Sequence, residues 1–199
     1  MATRGTYKID GKLLYNHWDN YPSGAACHFL NVLSTQGDLS LKSFIKCDKD
    51  VNFSFADSIF DGPAEFHYQL EKVDGEIIVK VYQIIMDEKG RDKLGSSNTY
   101  ELSDFINTLY KKNFSEPDGE DKKTIEQNRV LKIQGFNVTY TTVKGAKEEF
   151  NRLMQEAQKH LLNGFTGNAR SSYSRAKALL IALDDEVALS NFMKYFDNI

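Results

Sequence analysis

The sequence predicts an α+β fold: a mostly antiparallel sheet built from hairpins, helices on one face, and a C-terminal helical subdomain. Three observations carry this expectation. Two Asp-Gly pairs, Asp10-Gly11 and Asp74-Gly75, interrupt runs of β character, which is the strongest short-range hairpin signal. The last quarter of the chain changes to apolar residues at helical spacing. The chain has 199 residues with 13 Phe, 10 Tyr and 1 Trp, enough apolar mass for a real core but little more than one ordinary domain of ~100–200 residues.

The first hairpin joins Thr6-Tyr7-Lys8-Ile9 to Lys12-Leu13-Leu14-Tyr15. With Asp10 and Gly11 as a type I′ loop, counting sets the register: Ile9 opposite Lys12, Tyr7 opposite Leu14, Thr6 opposite Tyr15, Arg4 opposite His17. Turn formers fill Asp19 to Gly24. A helix starting near Ser23 has apolar residues on nearly every face through Leu33, so it is expected to be buried. Asp38 or Ser40 then caps a short helix through Leu41, Phe44 and Ile45.

The second hairpin alternates over 65–70, turns at Asp74-Gly75, and returns along 76–86, a β-branched run suited to a central strand. Tyr100 closes a further short strand, and Ser103 caps a helix carrying Phe105, Ile106, Leu109 and Tyr110. Residues 113–128 are polar, mixed in charge and contain Pro and Gly, so they read as an exposed loop. Val130 to Val143 regains β character, with Gly135 as a bulge, and is expected to join the main sheet of five or six strands. The expected division is therefore a sheet domain, 1–143, and a helical subdomain, 144–199, packed on it.

In the subdomain, Ala146, Phe150, Leu153, Met154, Ala157 and Leu161 form one stripe, and Asn163-Gly164 ends that helix. A second helix runs from about Asn168 to Leu183 through Tyr173, Ala176 and Leu180. Asp184 is expected to cap a third, buried through Leu189, Phe192, Met193 and Phe196. The Ala157 to Ala176 spacing resembles a tetratricopeptide repeat. One copy is too few for such an array, so an ordinary αα-hairpin is expected. Exposed stripes here would instead make an oligomer interface.

Several classes lose support. With 25 Lys and Arg against 28 Asp and Glu the net charge is −3, which gives no electrostatic argument for nucleic acid. No stretch approaches the ~18 apolar residues of a membrane helix. No apolar run follows Arg4, so no secretory signal is read and a cytoplasmic setting is expected. Cys27 and Cys47 fit reduced thiols rather than a disulfide framework. The four His are scattered, and Asp48, Asp50 and Asp57 lack the Gly and terminal Glu of a calcium loop, so no metal is expected. Phosphate-loop, dinucleotide and nucleophile-elbow motifs are missing, so no cofactor is expected. Lys144, Lys147, Arg152, Lys159, Arg170, Arg175 and Lys177 interleave with Glu148, Glu149 and Glu156, which favours a solvated mixed-charge face.

The chemistry-bearing stretch is Tyr15 to Gly24. It holds His17, the only Trp (Trp18), Asp19 and Tyr21 just before a helix start, and the hairpin register brings in Arg4. These residue types suit an anionic, partly aromatic ligand: Arg for charge, aromatics for stacking, helix N–H groups for oxygens. They equally suit acid–base work by His17 and Asp19. A purely structural reading has Trp18 anchoring the hairpin in the core, Asp19 capping a turn and His17 bonded to backbone.

Thr3-Arg4-Gly5, the strand, then His17-Trp18-Asp19, Tyr21-Pro22 and Gly24 resemble the opening of a family of uncharacterised bacteriophage and prophage proteins. The resemblance covers about the first 30 residues. That family usually has Gly where Asn20 stands, so it implies a positive φ at Asn20, a conformation Asn tolerates. It also implies a mobile-element origin and a bacterial cytoplasm. The functional expectation is a non-enzymatic phage-type binding protein. It would engage a host protein, as in counter-defence, or sequester a small anionic ligand such as a signalling nucleotide, through Arg4, His17, Trp18, Asp19 and Tyr21. The alternatives are a small hydrolase or transferase using His17 and Asp19, or a virion component.

Overall fold

The computed structural model describes residues 3–47, 53–60, 62–135 and 137–196. Asp48 and Asp50 of the acidic cluster, and Phe136 of the expected strand 130–143, lie outside them. The fold is α+β, in two compact units, Met1–Ile125 and Glu126–Ile199.

The first unit holds a six-stranded sheet. Its strands are β1 (Gly5–Ile9), β2 (Lys12–Asn16), β3 (Ser54–Phe55), β4 (Phe66–Val73), β5 (Glu76–Met86) and β6 (Asp92–Glu101), in the spatial order β3-β2-β1-β4-β5-β6. All neighbours are antiparallel except β1 and β4. Asp10 and Gly11 both have positive φ, as a type I′ turn requires. The expected pairs Ile9–Lys12, Tyr7–Leu14 and Thr6–Tyr15 are the observed ones. Asp74 and Gly75 repeat the turn between β4 and β5.

Helices α1 (Pro22–Gln36), α2 (Leu41–Lys46) and α3 (Leu102–Tyr110) belong to the same unit. Tyr7 and Tyr68 stand side by side on β1 and β4, stacked at 4.9 Å. Phe29 of α1 meets both edge-on, at 5.9 and 6.3 Å, and Phe105 of α3 lies 5.5 Å from Phe29. All four are fully buried, so this aromatic layer joins α1 and α3 to the sheet.

Four local expectations are corrected. The strand ending at Tyr100 is ten residues long. Its DKLGSSNTYE sequence is polar, but the strongly β-forming β5 pairs with residues 92–94 and 97–101, on either side of a β-bulge. The α3 N-cap is Glu101, whose carboxylate accepts from the Ser103 N–H at 3.0 Å, rather than Ser103 itself. The expected loop 113–128 contains a helix, α4 (Gly119–Gln127). Asp118 accepts from the Asp121 N–H at 2.9 Å and Asp121 accepts from the Asp118 N–H at 3.3 Å, a reciprocal capping box. Finally, 130–143 is no strand of the main sheet. It forms a separate hairpin, β7 (Val130–Ile133) and β8 (Thr139–Thr142), with Gly135 in the connection.

That hairpin belongs to the second unit, with α5 (Val143–Leu162), α6 (Thr166–Leu183) and α7 (Glu186–Phe196). Ala146, Leu153 and Ala157 of α5 pack with Ala169, Tyr173 and Ala176 of α6, all essentially buried. Small residues facing each other let the two helices lie close. Phe192 of α7 covers this seam, 6.0 Å from Tyr173. The Asp184 assignment is corrected as well. Asp184 takes a left-handed φ of 56° and closes α6, while Asp185 caps α7 by accepting from the Ala188 N–H at 2.9 Å.

Candidate functional site

The link between β2 and α1 crosses the end of the sheet and is organised around Asn20, which has no exposed surface. Its Oδ1 accepts from the Tyr7 hydroxyl at 2.5 Å, and its backbone carbonyl accepts from the Tyr68 hydroxyl at 2.6 Å. Its Nδ2 lies 2.8–3.1 Å from four acceptors: the carbonyls of Thr3, Asn16 and Trp18, and Asn16 Oδ1. Burial holds both phenol pKa values well above the ordinary one, so both remain donors to Asn20.

Two glycines make room for this arrangement. A Cβ on Gly5 would sit 2.8 Å from the Asn20 Cβ, and one on Gly24 would sit 1.9 Å from the Asp19 carbonyl oxygen. The positive φ falls at Asp19 (51°), not at Asn20 as the family resemblance implied. Asp tolerates that region, and the turn there frees Asn20 to point into the core.

Trp18 is held by its backbone, while its side chain is largely exposed. Its N–H donates to Asn16 Oδ1 at 2.8 Å, and its carbonyl accepts from Asn20 Nδ2 at 2.8 Å and from His28 Nε2 at 3.2 Å. Yet the indole is 57% exposed, which removes the expectation that Trp18 anchors the hairpin in the core. His17 meets the indole edge-on at 4.7 Å, and its Nδ1 lies 3.2 Å from the Tyr15 hydroxyl rather than on a backbone group. Tyr21 is 51% exposed, precedes Pro22 at the start of α1, and meets Phe66 edge-on at 5.9 Å.

The five predicted site residues are thus divided. His17 and Trp18 form one patch with Tyr15. Asp19 acts instead on α1, where its charge favours protonated His28 and disfavours the Cys27 thiolate. Burial is the larger influence on both, lowering the His28 pKa and raising that of Cys27. Arg4 lies one position beyond the last β1–β2 pair, so its pairing with His17 is a continuation of register and not a ladder contact. The Arg4 carbonyl accepts from the Glu65 N–H at 2.9 Å, and its half-buried guanidinium leaves a buried Nε without a hydrogen-bond partner. Among the described residues no hydrogen bond, ion pair or ring contact joins Arg4 or Tyr21 to His17, or His17 to Asp19. No group of three or more His, Cys, Asp or Glu among them is placed to share a metal ion. No described helix is long and apolar enough to cross a membrane.

Sequence reasoning missed Asn20, Asn16 and His28. Their roles come from contacts to Thr3, Tyr7 and Tyr68 and from the α1 packing, none of which leaves a local signal. Comparison with protein-family models, curated proteins and solved structures gave no match, so the site is read from its geometry alone.

Proposed function

We propose that the protein is a non-enzymatic binding protein that engages a protein partner through the His17–Tyr21 loop, with Trp18 and Tyr21 as its anchors. One observation carries this reading: the Trp18 backbone is fixed on both sides by hydrogen bonds while its indole is more than half exposed. A large aromatic held rigid in solvent loses little conformational freedom on binding, and such residues dominate protein–protein hot spots. The resemblance of residues 3–24 to phage and prophage proteins makes a bacterial host factor the natural partner class. The catalytic alternative gains nothing from the geometry, because His17 and Asp19 are not joined.

The test compares proteins captured from bacterial lysate by the parent chain and by Trp18→Ala, Tyr21→Ala and, as a remote control, Met86→Ala. A partner lost with both loop variants and kept with Met86→Ala supports the reading, and its affinity should fall by at least ~30-fold for Trp18→Ala. Identical capture by all four chains overturns it.

The second reading, sequestration of a small anion, is favoured by the buried Arg4 Nε that lacks a partner. Mass spectrometry of small molecules released on denaturation should then find an anion in the parent that is missing from Arg4→Ala and retained in His17→Gln.

A further inference from the structure

The α5–α6 hairpin of the second unit ends in a closed tip. The Gly164 N–H donates to the Leu161 carbonyl at 3.0 Å and the Phe165 N–H to the His160 carbonyl at 2.8 Å, with Gly164 at the positive φ of 78° that the reversal needs. Asn163 Nδ2 adds a bond to the Lys159 carbonyl at 2.8 Å. Only residues 163–165 separate the two helices, so the tip is short as well as closed.

Two apolar side chains stand out from it. Leu162 follows Leu161, the last residue of the α5 core stripe, and one helical step turns it about 100° away from that stripe. It is 89% exposed, the most exposed large hydrophobic among the described residues. Phe165 sits ahead of α6 as its N-cap and is 58% exposed, its ring 6.3 Å from that of His160.

Charge is uneven in the same place. Residues 157–183 are the longest stretch of the chain without Asp or Glu, and they carry Lys159, Arg170, Arg175 and Lys177 in a chain whose net charge is −3. Arg175 is held by Glu149 at 3.2 Å. Lys159, in the last turn of α5, and Arg170, early in α6, are exposed, and no ion pair engages either among the described residues. Glu156, the carboxylate closest to the tip along the chain, is shared by Arg152 at 3.1 Å and His160 at 4.0 Å.

An apolar point flanked by cations fits an anionic bilayer. Leucine and phenylalanine enter the acyl boundary, while ammonium and guanidinium groups meet the headgroups. A second copy would bring the same cations against themselves, which opposes pairing of tips. A hairpin end is convex, so a protein partner would have to supply the whole pocket. We propose that the α5–α6 tip docks the protein weakly and reversibly on an anionic lipid surface, with Leu162 and Phe165 inserted and Lys159 and Arg170 at the headgroups. The contact lies on the bilayer and does not span it. The site is independent of the His17–Tyr21 loop, and either assignment stands without the other.

Sedimentation of the full chain with vesicles tests it. Phosphatidylcholine vesicles in which about half the lipid is phosphatidylglycerol should carry the chain down at about 0.05 M salt, and about 0.5 M salt should release it. Pure phosphatidylcholine vesicles should leave it in solution. Leu162→Ser with Phe165→Ser should lower the partition coefficient at least about tenfold, and Lys159→Glu with Arg170→Glu by a similar factor. Phe165→Trp in a Trp18→Phe chain places the only indole at the tip, and its emission should shift to the blue with the anionic vesicles. Four results would overturn the proposal: no sedimentation with anionic vesicles, equal sedimentation with neutral ones, unchanged partition in either double variant, or an indole emission that does not move. A lysate protein captured through Leu162 and Phe165 by a parent chain that binds no vesicle would overturn it too, and assign the tip to protein contact. If a double variant loses its fold by circular dichroism, the lipid and salt series and the tip emission decide.

Discussion

The two units solve the same problem with different materials. The core of the first adds to its aliphatic residues an aromatic layer of Tyr7, Tyr68, Phe29 and Phe105, and its two tyrosines bond a buried asparagine from which the frame extends to the surface as a loop. The core of the second is alanine and leucine on helical stripes, with Tyr173 and Phe192 at its seam. A buried polar hub specifies a single arrangement, because every misplacement strands a polar group. An aliphatic stripe gives burial without that directional demand. The unit with the directional core is the one that displays the exposed Trp18 and Tyr21.

The sharpest way to break this contrast is Asn20→Ala. It leaves the buried Tyr7 hydroxyl without its acceptor and removes one of the donors to the Thr3 carbonyl and to Asn16 Oδ1, so it should destabilise by roughly 2–4 kcal/mol. Asn20→Asp should be nearly as damaging, since a carboxylate would face the same four acceptors. Chemical denaturation measures both. A loss below about 1 kcal/mol for either would mean the hub is not what holds the loop.

Next is Phe192→Ala in the second unit. Phe192 is buried on the α6–α7 seam, so its truncation should cost ~3–5 kcal/mol, whereas Phe150→Ala, at a half-buried position, should cost about 2 kcal/mol. Equal and small effects would mean the helical stripes do not form the core.

How much of each unit was legible follows from the same contrast. The helices α5 and α6 could be read because their burial repeats every 3.6 residues, so Leu153, Ala157, Tyr173 and Ala176 announce themselves. The β1–β2 register could be read because a two-residue Asp-Gly loop leaves only one way to count. The hub could not be read. Asn20 reaches Tyr7 across 13 residues, Thr3 across 17 and Tyr68 across 48, and nothing local marks those distances. Trp18 was misread for the opposite reason: hydrophobicity argues for burial, and only the tertiary fold leaves the indole in solvent. The length of polar β6 and the presence of capped α4 were missed because their causes, a strong partner strand and a reciprocal Asp118–Asp121 cap, outweigh residue propensity.

A pH titration sharpens the comparison further. His67 is buried on β4, with Nδ1 at 2.9 Å from the Thr6 hydroxyl, and its pKa is lowered from 6.5 to about 4, first by burial and then by the Lys8 charge. The unfolded chain takes up this proton near pH 6.5 and the folded chain only near 4. Stability from this group is therefore full above 6.5, declines as pH falls through that window, and levels off below it, a loss of about 3 kcal/mol. His28, also lowered, adds loss in the same direction. His67→Gln should flatten the decline. An unchanged pH profile in that variant would assign the acid sensitivity elsewhere.

The smallest expected change in stability is the most telling for function. Trp18→Ala removes a side chain that is 57% exposed and leaves its backbone bonds to Asn16, Asn20 and His28 in place. The folding free energy should move by no more than about 0.5 kcal/mol, as for other surface positions. The same substitution should cost at least about 2 kcal/mol in partner binding if the indole is an anchor. Stability and binding are thereby separated at one residue, which a buried Trp would not permit. A drop in folding stability of about 3 kcal/mol for Trp18→Ala would mean that the indole packs as part of the core in solution and that the loop has no free anchor. Unchanged stability with unchanged capture of every partner would leave the frame intact and remove the binding role from Trp18.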